Sequence, residues 1–120
     1  MRNQPKYNFI KNTTYALSGL RDIIKHESSF KIELMICVLL VPFIFFVDIS
    51  LVEKLFLVIT MAGVLIAETI NSAIERVVDL VTLEHHPMAG RAKDVGSSIV
   101  FLSIGLSVIV WGIILIKNFS

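Results

Sequence analysis

Apolar segments long enough to cross a lipid bilayer occupy more than half of this sequence, and they limit the folds that are open to it. They lie at about residues 31–48, 51–79 and 95–117. The hydrocarbon core of a bilayer is about 30 Å thick, and a helix of about 20 apolar residues crosses it. Hydrophobic residues make up 55% of the 120 residues and the mean hydropathy is +0.79, which is too apolar for an ordinary soluble domain. The sequence therefore predicts an all-α integral membrane protein.

The remaining composition narrows the class further. No linker or internal repeat divides the chain, so residues 1–120 are predicted to form a single domain. The net charge of +1 gives no support to a basic surface that would bind nucleic acid. The single cysteine, Cys37, lies in an apolar run and is interpreted as a small buried hydrophobic residue rather than a catalytic one.

A basic amphipathic helix is predicted over about residues 6–27, before the first apolar segment. Apolar or small residues recur there at intervals of three and four: Phe9, Ile10, Thr13, Ala16, Leu17, Leu20, Ile23 and Ile24. Lysines and arginines supply the opposite face, as in helices that lie on a membrane surface. The alternative is a soluble helix packed on the connection that follows the second apolar segment.

The distribution of lysine and arginine predicts the orientation in the membrane. Six of them lie at or before residue 31 and three lie within 76–93, whereas the connection over residues 48–54 and the C-terminus carry one each. Cytoplasmic loops are enriched in these residues. The N-terminus and the connection between the second and third segments are therefore predicted to be cytoplasmic, with the C-terminus outside.

Four polar side chains form a stripe along the second apolar segment: Glu68, Asn71, Glu75 and Asp79. At 100° per residue, Asn71 lies about 60° from Glu68 around the helix, and Glu75 and Asp79 about 20°. If the second segment enters the membrane near Glu53, Glu68 would lie about 22 Å deep in it. An ionisable group at that depth normally faces a partner, a cavity or a metal. The alternative is that these side chains only form hydrogen bonds between the helices of an oligomer and take no part in catalysis.

The grading of the stripe from lipid to water favours chemistry at the membrane surface. Glu68 could meet a lipid hydroxyl, and Glu75, about 10 Å further along, could meet a metal–nucleotide complex. Glu27 is expected at the same level as Glu75, and two carboxylates with phosphate oxygens are a usual ligand set for Mg²⁺. Lys93, in a connection predicted over residues 84–98, is a compact cation of the kind that contacts phosphate. The sequence contains no P-loop motif.

Two stretches carry a resemblance to a known family. "ETINSAIERVVD", residues 68–79, and "GRAKDVGSS", residues 90–98, closely resemble the prokaryotic diacylglycerol kinases, and the similarity extends over nearly the whole chain. The resemblance implies a homotrimer of three-span subunits in the bacterial inner membrane, with an N-terminal surface helix and active sites at subunit interfaces. It also implies ATP-dependent phosphorylation of 1,2-diacylglycerol to phosphatidic acid.

The resemblance further implies roles for individual residues. Glu68 would be the general base, Asn71 would orient it, and Glu27 and Glu75 would hold the Mg²⁺ of MgATP. Ser97 would lie near the lipid. Besides the two metal ligands, the nucleotide contacts would be Tyr15, Glu84, His85, His86, Lys93 and Asp94. Lys93 would also offset phosphate charge in catalysis. Asp79 would be a supporting residue.

Several alternatives stay open at this point. "HHP", residues 85–87, is similar to the branch of the family that phosphorylates undecaprenol, whereas "NSAIE" and "GRAKDVGSS" favour diacylglycerol. Asn8 and Leu17 depart from the basic and aromatic residues expected in the surface helix. An ion pathway is disfavoured because the third segment has no charged residue to continue a relay. The hypothesis that the protein is a structural subunit of a larger complex gives no reason for paired carboxylates beside Lys93.

Overall fold

Four helices make up the part of the chain that the computed structural model describes, residues 8–120. They are α1, Phe9–His26; α2, Ser28–Phe46; α3, Leu51–Val81; and α4, Pro87–Phe119. No strand occurs in this range, so the predicted all-α class is confirmed. Positions 6 and 7 of the predicted amphipathic segment lie outside the described residues.

Helix α1 is amphipathic and packs on α2. The Asn8 side chain caps its N-terminus by accepting a hydrogen bond from the backbone N–H of Lys11 at 3.1 Å. Ile23 is buried near its C-terminal end, whereas Phe9 and Ile10 are more than 70% exposed. The apolar face of α1 therefore continues beyond the surface that this chain covers, as expected for a helix that meets lipid or a second subunit.

Within residues 8–120, two helices are long and apolar enough to cross a membrane, α2 and α4. Helix α3 has 31 residues, about 46 Å at helical rise, and carries the polar stripe in its second half. Its crossing of the bilayer remains a prediction. Large side chains such as Phe46 and Leu102 face outward along the bundle, consistent with surroundings of lipid or neighbouring subunits.

The connection between α3 and α4 is shorter than predicted. It covers residues 82–86, and α4 begins at Pro87 rather than near residue 95. The Nδ1 atom of His86 accepts a hydrogen bond from the backbone N–H of Met88 at 3.1 Å, and proline suits the first helical position. Lys93 and Gly96 therefore lie on a rigid helix and not in a loop.

Helices α3 and α4 form the most extensive helix–helix contact among the described residues, and α2 also packs on α3. Ile44, Leu57, Met61 and Ile114 form a buried cluster in the half of the bundle opposite the α3–α4 connection. This cluster joins α2, α3 and α4 where no polar stripe is present. The other half of the bundle combines buried apolar side chains, Ile23 and Phe30 among them, with contacts between polar side chains.

The N-terminus of α3 is fixed by a capping box. The Ser50 hydroxyl accepts from the backbone N–H of Glu53 at 3.1 Å, while the Glu53 carboxylate accepts from the backbone N–H of Ser50 at 3.2 Å. The same carboxylate accepts from Asn118 at 2.9 Å and pairs with Lys117 at 3.4 Å. The start of α3 and the end of α4 are thereby tied together.

Ser50→Ala is expected to lower the free energy of unfolding by about 1 kcal/mol, because it removes the acceptor for an otherwise unpaired N–H. Unfolding by sodium dodecyl sulfate in mixed micelles measures the difference. Ser29→Ala, an exposed position in the first turn of α2, serves as the control. Equal midpoints for the two variants would show that the Ser50 hydroxyl contributes nothing to stability.

Candidate active site

The polar stripe on α3 is joined by a hydrogen bond within the helix. The Asn71 Nδ2 group donates to Oε1 of Glu75 at 3.1 Å, as residues four apart on one helix face can do. The resemblance implied that Asn71 would orient Glu68, but no hydrogen bond between these two occurs within residues 8–120. Asn71 instead fixes the carboxylate of Glu75.

Gly96 of α4 makes room for Asn71. A Cβ atom at position 96 would lie 2.5 Å from Oδ1 of Asn71 and 3.5 Å from the side chain of Ile74. This Oδ1 atom is buried and accepts no hydrogen bond from residues 8–120. The absence of a side chain at Gly96 therefore lets α4 approach α3 closely enough to enclose the amide.

Lys93 joins α4 to the end of the stripe at Asp79. Its Nζ atom donates to Oδ1 of Asp79 at 2.7 Å, and both side chains are a little under half exposed. The ammonium group is thus held beside α3 while remaining open to a solute. The supporting role of Asp79 in catalysis stays a prediction.

A polar pocket of about 220 Å³ surrounds this pair where α3 meets α4. Its polar lining residues include Asp79, Glu84, His85, His86 and Lys93. Four of these, all except Asp79, are residues that the resemblance assigned to the nucleotide. The pocket is smaller than those that enclose a drug-sized ligand, so a bound nucleotide would extend beyond it.

Seven predicted site residues lie outside this pocket, and three of them are exposed. Tyr15 is on α1 and 58% exposed, and Asp94 and Ser97 are exposed on α4. A cleft of about 500 Å³ separates α1 from α3 and is lined mostly by small and apolar side chains, among them Ala16, Gly19 and Ala73. The structure therefore brings the pocket residues together but not Tyr15, Asp94 or Ser97.

Glu68, the first residue of the stripe in the chain, has a neighbour that was not predicted from the sequence. The carboxyl group of Glu33, on α2, lies against that of Glu68. The Oε2 atom of Glu33 is buried and has no hydrogen-bond partner within residues 8–120. No helical period relates Glu33 to Glu68, because the two residues lie on different helices.

Arg76 forms a second polar group that the sequence analysis did not identify. Its Nη2 atom lies 3.2 Å from Oε1 of Glu27, and Nη1 donates to the carboxylate of Asp22. Asp22 also lies 3.1 Å from Nδ1 of His26. The hydrogen bond from Arg76 is the main reason that the pKa of Asp22 falls below its usual value. In the sequence, Arg76 had contributed only to the count of cytoplasmic charges.

Glu27 and Glu75 each present a carboxylate, the kind of donor that Mg²⁺ takes in proteins. Their hydrogen bonds to other described side chains use Oε1 of each residue. Residues 8–120 contain no cluster of three or more acidic, histidine or cysteine side chains suited to a metal. Mg²⁺ is commonly held by one or two carboxylates together with phosphate oxygens and water. Phosphate would therefore have to complete any such site.

The chain is helical and apolar, and a lysine and several acids surround a polar pocket at one end of its bundle. These features are consistent with a small membrane-bound kinase. The family model described as prokaryotic diacylglycerol kinase matches residues 14–115. The chain belongs to this family.

Individual relatives agree with the family model. The chain is 38% identical to a diacylglycerol kinase of Haemophilus influenzae over 90% of its length and 92% of the relative's. It is 37% identical to a diacylglycerol kinase of Escherichia coli, covering 92% and 91%. An undecaprenol kinase of Bacillus subtilis is 29% identical, covering 85% and 83%. The protein is thus a lipid kinase of a bacterial membrane, and the predicted enzyme class is confirmed.

Proposed function

We propose that the protein transfers the γ-phosphoryl group of ATP to the hydroxyl group of 1,2-diacylglycerol, forming phosphatidic acid at the cytoplasmic surface of the membrane. The observation that carries this proposal is the pocket around Lys93, which lies at the Asp79 end of a stripe that begins with Glu68. A phosphate donor from water and an alcohol from lipid can approach this stripe from opposite ends.

The choice of lipid rests on the relatives. Those named diacylglycerol kinase in Haemophilus influenzae and Escherichia coli are 38% and 37% identical, against 29% for the undecaprenol kinase. Transfer of labelled phosphate in mixed micelles that contain both alcohols at equal mole fraction tests the proposal. Faster phosphorylation of diacylglycerol is expected. Preferential phosphorylation of undecaprenol would assign the chain to the other branch.

Phosphoryl transfer requires mainly positioning and the neutralisation of charge. Glu68 would accept the proton of the lipid hydroxyl as its oxygen attacks phosphorus. Lys93, oriented by Asp79, would offset the charge on the phosphate oxygens. Glu27 and Glu75 would hold Mg²⁺, which when bound neutralises further phosphate charge. Asn71 would keep Glu75 in the orientation that this requires.

We further propose that α3 is a third membrane span and that three copies assemble around it, with the N-terminus cytoplasmic. The large exposed apolar surface supports association. At Gly63 on α3 and Gly105 on α4 an added Cβ would meet nothing within 4 Å, so both positions leave room for a neighbouring helix. Native mass spectrometry from a detergent micelle should give a trimer of the 13.4 kDa chain. A monomer with full activity would contradict the assembly.

Lys93→Gln tests the nucleotide pocket. A charge-assisted hydrogen bond contributes about 1.5–3 kcal/mol, so the KM for ATP is expected to rise about 10- to 100-fold. The KM for the lipid should change little. Lys117→Gln removes the same charge at the opposite end of the bundle and serves as the control. If both variants give the same ATP dependence, Lys93 does not contact the nucleotide.

A further inference from the structure

Glu27 lies at the single break between α1 and α2. Its backbone is extended, with φ −113° and ψ 106°, and it is the cap residue of both helices. A carboxylate at this position could cap the first N–H groups of α2, but the Glu27 side chain makes no such hydrogen bond. The direction of the side chain is therefore not set by either of the helices that it joins.

Arg76 sets that direction from a third helix. One arm of its guanidinium, through Nη2, contacts Oε1 of Glu27 at 3.2 Å, and the other arm contacts Asp22. Because Asp22 holds one arm, the other is aimed at Glu27 from a fixed place on α3. Arg76 directly follows Glu75 in the chain, so its contact anchors Glu27 to the same turn of α3 that carries Glu75.

We propose that Arg76 is a positioning residue for the metal–nucleotide complex: held by Asp22, it orients Glu27 before the metal arrives. This inference rests on the proposed function, since it takes Glu27 and Glu75 as metal ligands. The hydrogen bond from Arg76 uses Oε1 of Glu27 and does not require Oε2, which can serve a metal. Partners that orient a ligating carboxylate in this way typically change metal affinity 10- to 100-fold when they are removed.

The sign of the effect separates positioning from simple electrostatics. Arg76 is a cation beside a site for a dication, so its charge alone weakens metal binding. Removing that charge would tighten binding if Arg76 did nothing else. The charge of Arg76 also attracts the anionic nucleotide, so weaker Mn²⁺ binding in Arg76→Gln indicates lost orientation of Glu27 or of α1 when binding of the nucleotide without metal is unchanged.

The experiment measures Mn²⁺ binding by electron paramagnetic resonance to the full-length protein in lipid nanodiscs with a non-hydrolysable ATP analogue present, and measures binding of the analogue without metal in parallel. We expect about 10-fold or greater loss of Mn²⁺ affinity in Arg76→Gln. Arg76→Lys should lose nearly as much, because an ammonium group lacks the two-armed geometry that contacts Asp22 and Glu27 together. Lys25→Gln, which removes an exposed charge from the last turn of α1, should bind Mn²⁺ normally.

Asp22→Asn gives a milder test that does not alter Arg76 itself. It should weaken Mn²⁺ binding several-fold, and combined with Arg76→Gln it should add no further loss, because the two residues act in series. Unchanged or tighter binding in Arg76→Gln, or normal binding in Arg76→Lys, would overturn the inference.

The Glu27→Gln variant separates the positioning role of Arg76 from the assignment of Glu27 as a metal ligand. Loss of Mn²⁺ binding in this variant without loss in Arg76→Gln would refute the role of Arg76 alone. Normal Mn²⁺ binding in Glu27→Gln would refute the metal-ligand assignment, and the role of Arg76 with it.

Discussion

Replacing Glu68 with glutamine is expected to lower the rate of lipid phosphorylation by about 10²- to 10⁴-fold, the range that general bases contribute. Glutamine keeps the size of the side chain but cannot accept the hydroxyl proton. Binding of ATP should be retained, because the pocket around Lys93 lies further along α3. Labelled phosphate transfer at saturating diacylglycerol and ATP measures the rate, and equilibrium binding of an ATP analogue checks the pocket.

Glu33→Gln is the matched control, because the carboxyl groups of Glu33 and Glu68 lie together. If Glu68 is the base, the Glu33 variant should keep far more activity than the Glu68 variant. The reverse order would transfer the role of base to Glu33. Full activity in Glu68→Gln would remove the base from the mechanism.

Gly96→Ala is expected to lower kcat about 10- to 100-fold while changing stability little. The new methyl group would lie 2.5 Å from Oδ1 of Asn71, so the amide must rotate away from Glu75. A hydrogen bond to a charged group contributes about 1.5–3 kcal/mol, which sets the size of the effect on the rate. The higher helix propensity of alanine, worth about 1 kcal/mol, offsets part of the cost of the clash.

Gly112→Ala on the same helix is the control, because a Cβ there would meet nothing within 4 Å. Both variants are compared by their rate at saturating substrates and by their unfolding in sodium dodecyl sulfate. Normal activity in Gly96→Ala would show that the contact between Asn71 and Glu75 does not matter for catalysis. A large loss of stability without loss of specific activity would assign Gly96 a role in packing alone.

The parts of this structure that depend on helical periodicity could be predicted from the sequence. The repeat of apolar residues placed α1, and the length of the apolar runs placed α2 and α4. The helical rise also put Asn71 and Glu75 on one face, where the structure joins them. The start of α4 was placed too late, because a polar composition over residues 87–94 was taken for a loop although His86 and Pro87 begin a helix there.

Contacts between helices could not be predicted in the same way. Arg76 and Asp22 lie 54 residues apart, and no spacing rule relates them. The approach of Glu33 to Glu68 likewise depends on how α2 packs on α3. The short distance from Gly96 to Asn71 requires the depth of α4 against α3, which only the packed bundle defines. Such contacts carry most of the detail of the candidate site.

Helix α3 runs without interruption from Leu51 to Val81. Glu68, Glu75 and Asp79 therefore keep fixed separations along one rigid axis, about 10 Å from the first to the second and about 16 Å from the first to the third. No loop movement can alter these intervals. The protein would then discriminate among membrane alcohols by how far below the lipid headgroups each one holds its hydroxyl, and an alcohol seated several ångströms too deep would stay out of reach of the phosphate.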